Sequence, residues 1–114
     1  MQNWKTQLRK GIVELCVLGV LKRQGEAYGY QLLQALEEVA GLTFSESTVY
    51  PVLARLSQNG LVTARTEPSP AGPPRRYFRL TPLGVKQLRV IQSEWRLVSD
   101  SLNRLIEEGG EENG

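Results

Sequence analysis

Residues 45–62 read Ser-Glu-Ser-Thr-Val-Tyr-Pro-Val-Leu-Ala-Arg-Leu-Ser-Gln-Asn-Gly-Leu-Val, and their pattern decides the fold. Val49, Leu53 and Leu56 recur at helical spacing as an inner face, with Thr48, Pro51, Arg55 and Gln58 as a polar stripe opposite. Ser45 or Ser47 suits a capping hydroxyl at the start, and Asn59-Gly60 suits the stop. Pro51 lacks an amide donor, so the well-formed helix is expected from about Ser47, or with a slight bend at Pro51. The stripe offers hydroxyls for phosphates or bases and one guanidinium able to grip guanine or phosphate. A merely solvated helix face has the same composition, so the flanking segments carry the decision.

Upstream, residues 28–40 form a helical pattern with Leu32, Leu33, Leu36 and Val39 at core spacing and Gly41 as a stop. Residues 5–24 form another, apolar at Leu8, Ile12, Leu15, Cys16 and Gly19 on one side and at Val13, Val17, Val20 and Leu21 on the other, ending at Gly25. A helix apolar all round is buried all round, so this one needs cover from two directions. Downstream, residues 61–66 and 75–81 alternate as strands, with Phe78 and Leu80 inward. Between them, residues 67–74 hold four of the six prolines and read as a stiff projecting loop. Beside it stand Arg75, Arg76 and Arg79, a cationic run suited to a phosphate backbone.

Thr81-Pro82 opens a last helix with a capping hydroxyl and proline at the first helical position. Leu88, Ile91, Trp95, Val98, Leu102 and Leu105 follow at alternating spacings of 3 and 4, a seam of a/d type that Gly84 extends backward. Such a seam packs on a partner helix, and a dimer would supply the second cover that the first helix needs. Three helices, a hairpin and a fourth helix are the order of a winged helix-turn-helix, whose third helix enters the major groove. The expected chain is mainly α with a small β-hairpin. It comprises a winged helix-turn-helix over residues 1–81, a C-terminal dimerisation helix over 82–108 and a disordered acidic tail over 109–114.

Charge and composition narrow the function. Residues 1–99 carry 13 Lys/Arg and 7 Asp/Glu, whereas residues 100–114 carry one Arg and five acids. The body is basic and favours a polyanion. The chain has no histidine, the commonest general base and metal ligand. Glu37-Glu38 and Glu107-Glu108 are helix neighbours that point about 100° apart, so neither is a paired-carboxylate site. With no phosphate-cradling glycine loop and no metal-spaced cysteines, an enzyme is not expected, nor a cofactor or metal. Cys16 is the one cysteine, which excludes an intrachain disulfide; it reads as a small buried hydrophobe rather than a redox sensor. The apolar run near the start is broken by Glu14 and closed by Lys22-Arg23, which reads as neither a secretory signal nor a span. The expected home is cytoplasmic, with no membrane partner.

Tyr28-Gly29-Tyr30, the run from Ser47 to Leu56, Asn59-Gly60-Leu61-Val62 and the segment from Gly72 to Gly84 together resemble the PadR family of repressors, over residues 5–108. The helix with Thr48-Val-Tyr-Pro51 combined with the hairpin Arg76-Tyr-Phe-Arg-Leu-Thr81 is specific; either alone is suggestive. The single last helix resembles the short subfamily, some of whose members bind flat aromatic compounds at the dimer interface. Ser47 departs from the pattern, since many relatives carry glycine there. The resemblance implies a sequence-specific regulator of double-stranded DNA acting as a homodimer on a palindromic operator, a repressor released by a small aromatic effector. The candidate DNA contacts are Ser47, Thr48, Tyr50, Pro51 and Arg55 on the third helix, with Arg75 and Arg76 as a phosphate-holding pair. The candidate ligand contact is Trp95, with Leu8, Leu15 and Ile91 as apolar walls. The alternative is a winged helix used for protein contact without an effector.

Overall fold

The computed structural model of the chain describes residues 4–39 and 43–113, with side chains described over 12–39 and 43–107. The elements follow as α1 (Trp4–Gln24), β1 (Ala27–Tyr28), α2 (Gly29–Glu37), α3 (Glu46–Gln58), β2 (Val62–Ser69), β3 (Gly72–Leu80) and α4 (Pro82–Asn113). The core lies where α1, α2, α3 and the base of the sheet converge. Leu18, Leu21, Leu32, Leu36, Leu53 and Leu56 are wholly buried there, with Val17 and Val49. Each such leucine contributes about 2 kcal/mol of transfer free energy. On α1, Ile12, Leu15 and Cys16 on the remaining side are half-buried, so the single chain covers that helix fully from one direction and in part from the other.

The second helix is shorter than its apolar pattern. Tyr28 is extended backbone at the N-cap of α2, and its amide donates to Oε1 of Gln31 at 3.1 Å. The helix closes at Glu37, so Val39 is exposed rather than in the core, while Gly41 lies outside the described residues. Ala27 and Tyr28 instead form a third strand, pairing antiparallel with Phe78 and Tyr77 in the order β1-β3-β2. Two residues are too few to register as alternation, so this strand exists only because β3 offers it a partner.

The expected proline loop is a correction as well. Residues 67–74 belong mostly to the strands, and the hairpin closes at Pro70-Ala71. The register runs from Val62↔Leu80 to Glu67↔Arg75 and then shifts to Ser69↔Gly72, which sets Pro68 opposite Pro73 and Pro74. None of these three prolines has an amide to donate, so a bulge here forfeits little of the ladder. β2 is an edge strand, and β3 has lost its β1 neighbour this far out, so the prolines sit where outward donors are not needed.

The boundaries of α3 and α4 follow local chemistry. α3 includes Pro51 and begins at Glu46; the proline costs one early ladder bond, which the buried face of Val49, Val52, Leu53 and Leu56 offsets. It ends in a Schellman turn, with the Leu61 amide donating to Leu56 (2.9 Å) and the Gly60 amide to Ser57 (3.1 Å), Gly60 having φ +74. Thr81 caps α4: its Oγ1 accepts from the Gly84 amide at 3.0 Å and donates to the Gly60 carbonyl at 2.6 Å. A Cβ on Gly84 would collide with the Leu61 carbonyl, so Gly84 belongs to the clasp between the end of α3 and the start of α4 rather than to the seam. The helix continues to Asn113, so residues 109–113 carry helical backbone where a disordered tail was expected. Each glycine in a helix costs about 1 kcal/mol, a modest penalty for Gly109 and Gly110 between glutamates, which are good helix formers. Among the described residues no helix is long and apolar enough to cross a membrane.

Candidate nucleic-acid interface

The buried face of α3 assigns every other position on that helix. Ser47, Pro51, Ala54 and Gln58 recur at i, i+4, i+7 and i+11 and form the crest away from the core, all four exposed. Thr48 and Arg55 occupy one shoulder and Tyr50 and Ser57 the other. The N-cap hydroxyl of Ser45 bonds Oγ of Ser47 at 2.8 Å and Oγ1 of Thr48 at 3.2 Å instead of a backbone amide. Three hydroxyls thus converge on the start of the helix, where the amides of the first turn carry partial positive charge. The Arg55 shoulder faces α1, with Nη2 3.3 Å from Oε2 of Glu14. The Tyr50 shoulder faces the hairpin, and Tyr50, Ala54, Ser57, Gln58 and Arg76 line a cleft of about 470 Å³ between them.

Tyr50 is seated by a glycine. A Cβ on Gly29 would strike the Tyr50 hydroxyl, so the start of α2 and the ring of α3 approach to a distance that alanine would forbid. Tyr30 stands beside them, 61% exposed, its hydroxyl accepting from Nε2 of Gln34 at 3.2 Å.

The hairpin divides its cations between two faces, because strand side chains alternate. Val62, Ala64, Phe78 and Leu80 pair on the inner face, and Arg76 continues that face outward, its guanidinium 5.5 Å from the Phe78 ring centroid. Arg75, Tyr77 and Arg79 take the outer face together with Tyr28 and Arg65. Arg75 lies 4.6 Å over the Tyr28 ring, Tyr28 meets Tyr77 edge-on at 5.4 Å, and Arg65 lies 4.6 Å over Tyr77. Arg65 is also gripped by Glu26 at 2.9 and 2.7 Å and by Glu67 at 2.6 Å. That hydrogen bonding to Arg65 holds the Glu26 carboxyl below its ordinary pKa and raises that of Arg65. Arg65 is thereby committed to bracing the hairpin base, whereas Arg75 and Arg76 keep their donors for a partner, each resting on an aromatic ring.

A family model described as the transcriptional regulator PadR-like family matches residues 17–90, which take in the end of α1, all of α2, α3 and the sheet, and the start of α4. The chain belongs to the PadR-like family. A PadR family transcriptional regulator from Eggerthella lenta is 31% identical, with a TM-score of 0.80 over 90% of this chain and 88% of that one. A PadR-like transcriptional regulator from Bacillus cereus is 34% identical, with a TM-score of 0.75 over 88% of this chain and 96% of that one. PadR of Bacillus subtilis, solved in complex with operator DNA, is 28% identical, with a TM-score of 0.65 over 71% of this chain and 46% of that one. The protein is accordingly a PadR-like transcriptional regulator with a winged helix.

Within this PadR-like fold, the positions expected from sequence are brought together in part. Ser47, Thr48, Tyr50 and Pro51 sit on exposed α3 surface, and Arg76 faces the same cleft. Arg55 is displaced from the crest to a shoulder, and Arg75 is separated from Arg76 by the strand alternation. Ala54 on the crest was not among the expected contacts, and Tyr30 beside Tyr50 was read only as part of the Tyr28-Gly29-Tyr30 motif. Arg65 escaped the sequence reading; its partner Glu26 is distant in sequence, and no local pattern links them. On α4, Leu88 and Ile91 are half-buried against the core, but Trp95, Val98, Leu102 and Leu105 are exposed at 46% to 69%. A further apolar column, Leu83, Val90 and Leu97, is exposed beside them. Leu15 is half-buried, and the Leu8 side chain lies outside the described residues. Cys16 is half-buried rather than buried, and desolvation raises its thiol pKa, which suppresses the reactive thiolate.

Proposed function

We propose that this PadR-like regulator binds a palindromic duplex operator as a homodimer and represses transcription until a flat apolar effector enters the dimer seam. The observation that carries the DNA reading is the cleft between α3 and the hairpin, where Tyr50, Gln58 and Arg76 face one another without an acid among them. A groove with hydroxyls at one end and a guanidinium at the other suits a phosphate strand flanking a major groove that α3 enters. The operator complex of the Bacillus subtilis relative supports the same class of partner.

The dimer reading rests on the apolar face of α4 beyond Ile91, which the single chain leaves exposed and which water disfavours. A second copy laid along Trp95, Val98, Leu102 and Leu105 covers it and places two Trp95 rings near the two-fold axis. A ligand stacking there, walled by Leu8, Leu15 and Ile91, changes DNA affinity only if it prefers one spacing of the recognition helices.

Selection of bound sites from random-sequence duplex DNA tests the reading directly. The expected product is an inverted repeat with half-sites about 34 Å apart, whose affinity falls steeply with salt. Selected sites without inverted symmetry, or a preference for single-stranded RNA, refute it. A panel of flat aromatic compounds should quench Trp95 fluorescence and weaken operator binding; Trp95→Phe, which retains a ring, should still dimerise. If the panel leaves both fluorescence and binding unchanged, Trp95 is a packing residue and the effector part is withdrawn.

A further inference from the structure

Arg55 is the only cation on α3, and the fold does not leave it free. Its Nη2 is held 3.3 Å from Oε2 of Glu14, a residue of α1 that lies 41 positions earlier in the chain. Both side chains are partly open to water, 52% for Arg55 and 39% for Glu14, so the pair adds little to stability. Its consequence lies in orientation. A guanidinium has five N–H donors in a rigid fork, and one long contact through Nη2 leaves Nε and Nη1 available.

We infer that Glu14 is a positioning residue for Arg55, aiming the one guanidinium of the recognition helix and making that aim depend on where α1 lies. This rests on the proposed binding of duplex DNA. An unanchored arginine on the shoulder of a recognition helix reaches any nearby phosphate, which adds affinity without sequence information. Anchored from the α1 side, Arg55 has lost rotamer freedom before the DNA arrives and presents its remaining donors in one direction. The carboxylate also offsets one positive charge at that shoulder, which lowers the general attraction for phosphates.

The same contact gives α1 a mechanical role. α1 packs against α3 on one side and against α4 on another. Glu14 is adjacent in sequence to Leu15, which stands about 100° around the helix, away from the buried Val13, Val17 and Leu21. A displacement of α1 by whatever occupies its Leu15 side therefore moves the carboxylate that holds Arg55. Glu14 is not itself a DNA contact in this arrangement; it acts through Arg55.

The test uses the full chain, one duplex recovered by selection and one scrambled duplex of equal composition. Glu14→Gln should melt like the wild type, bind the scrambled duplex more tightly and lose about two- to fivefold in discrimination between the two. Its salt dependence on the scrambled duplex should steepen by about one phosphate contact. Glu14→Asp keeps the charge but shortens the reach, and should lose discrimination as well. In an Arg55→Ala background, Glu14→Gln should leave discrimination between the two duplexes unchanged, whatever it adds to general affinity. In the DNA-free protein, the Arg55 Nε–H signal seen by NMR should shift in both Glu14 variants. The inference is overturned if Glu14→Asp discriminates like the wild type, since charge alone would then explain Glu14→Gln. It is overturned equally if Glu14→Gln still lowers discrimination in the Arg55→Ala background. A wild-type chain that binds no duplex removes the proposed function and this inference together; a wild type that discriminates while both variants match it removes the inference alone.

Discussion

Two parts of the molecule reach past the core, and they differ in chemistry. The outer hairpin, from Arg65 to Arg76, carries guanidiniums resting on Tyr28, Tyr77 and Phe78 and is stiffened by four prolines. The outer half of α4, from Trp95 to Ile106, carries Leu97, Val98, Leu102, Leu105 and Ile106 in the open. A charged projection loses nothing by facing water and gains from a polyanion; an apolar one is at a disadvantage until another apolar surface covers it. The contrast underlies the partner proposed for each: nucleic acid for the hairpin, a second copy of the chain for the helix. Both are rigidly rooted, the hairpin through Glu26 and Arg65, and α4 through Thr81, Gly84 and the end of α3.

The contrast can be broken most severely at the apolar projection. Leu102→Asp should place an unpaired charge in the seam and weaken the dimer by about 3–5 kcal/mol. Sedimentation should then report monomers while the thermal melt of the winged domain persists; a dimer of unchanged strength would show that α4 awaits something else. Next comes the root of that helix. Gly84→Ala drives a methyl group at the Leu61 carbonyl and should cost about 2–3 kcal/mol of folding stability, read as a lowered Tm.

At the cationic projection the effects are smaller and concern binding. Arg76→Ala removes the guanidinium that faces α3 and should cost about 1–3 kcal/mol of duplex affinity. Arg75→Ala, on the opposite face, should cost less, and equal losses would show that both swing onto the same phosphates. The smallest effect concerns the hairpin root and acid. Hydrogen bonding to Arg65 depresses the folded pKa of Glu26 below 4.5, so the bridge is intact above that value and is lost as pH falls through the depressed one. Carboxylate NMR should report a Glu26 midpoint below 4.5 that Arg65→Gln returns upward.

The order of the helices, the buried face of the third and the cap of the fourth were legible in the residues. Val49, Leu53 and Leu56 are buried as their spacing requires, Gly25 and Gly60 end helices with positive φ, and Thr81 caps α4. The proline-rich segment was misread because proline density counts against strand interiors, whereas an edge strand with a bulge has no use for the missing donors. Arg75 and Arg76 already lay in the expected strand 75–81, and its alternation sends such neighbours to opposite faces, as the structure shows.

What the sequence alone determined was periodic and local: the order of the helices, the core faces, the turn residues, the basic body and the apolar stripe of α4. Those signals are carried by residues within a few positions of one another, where spacing translates directly into direction. Tertiary structure alone decided which distant residues meet. It brought Glu26 to Arg65, Glu14 to Arg55, Gly29 to Tyr50 and Gly84 to the Leu61 carbonyl. No pattern along the chain encodes such pairs, because each depends on the packing angle between two elements, and that angle is settled by the whole core at once.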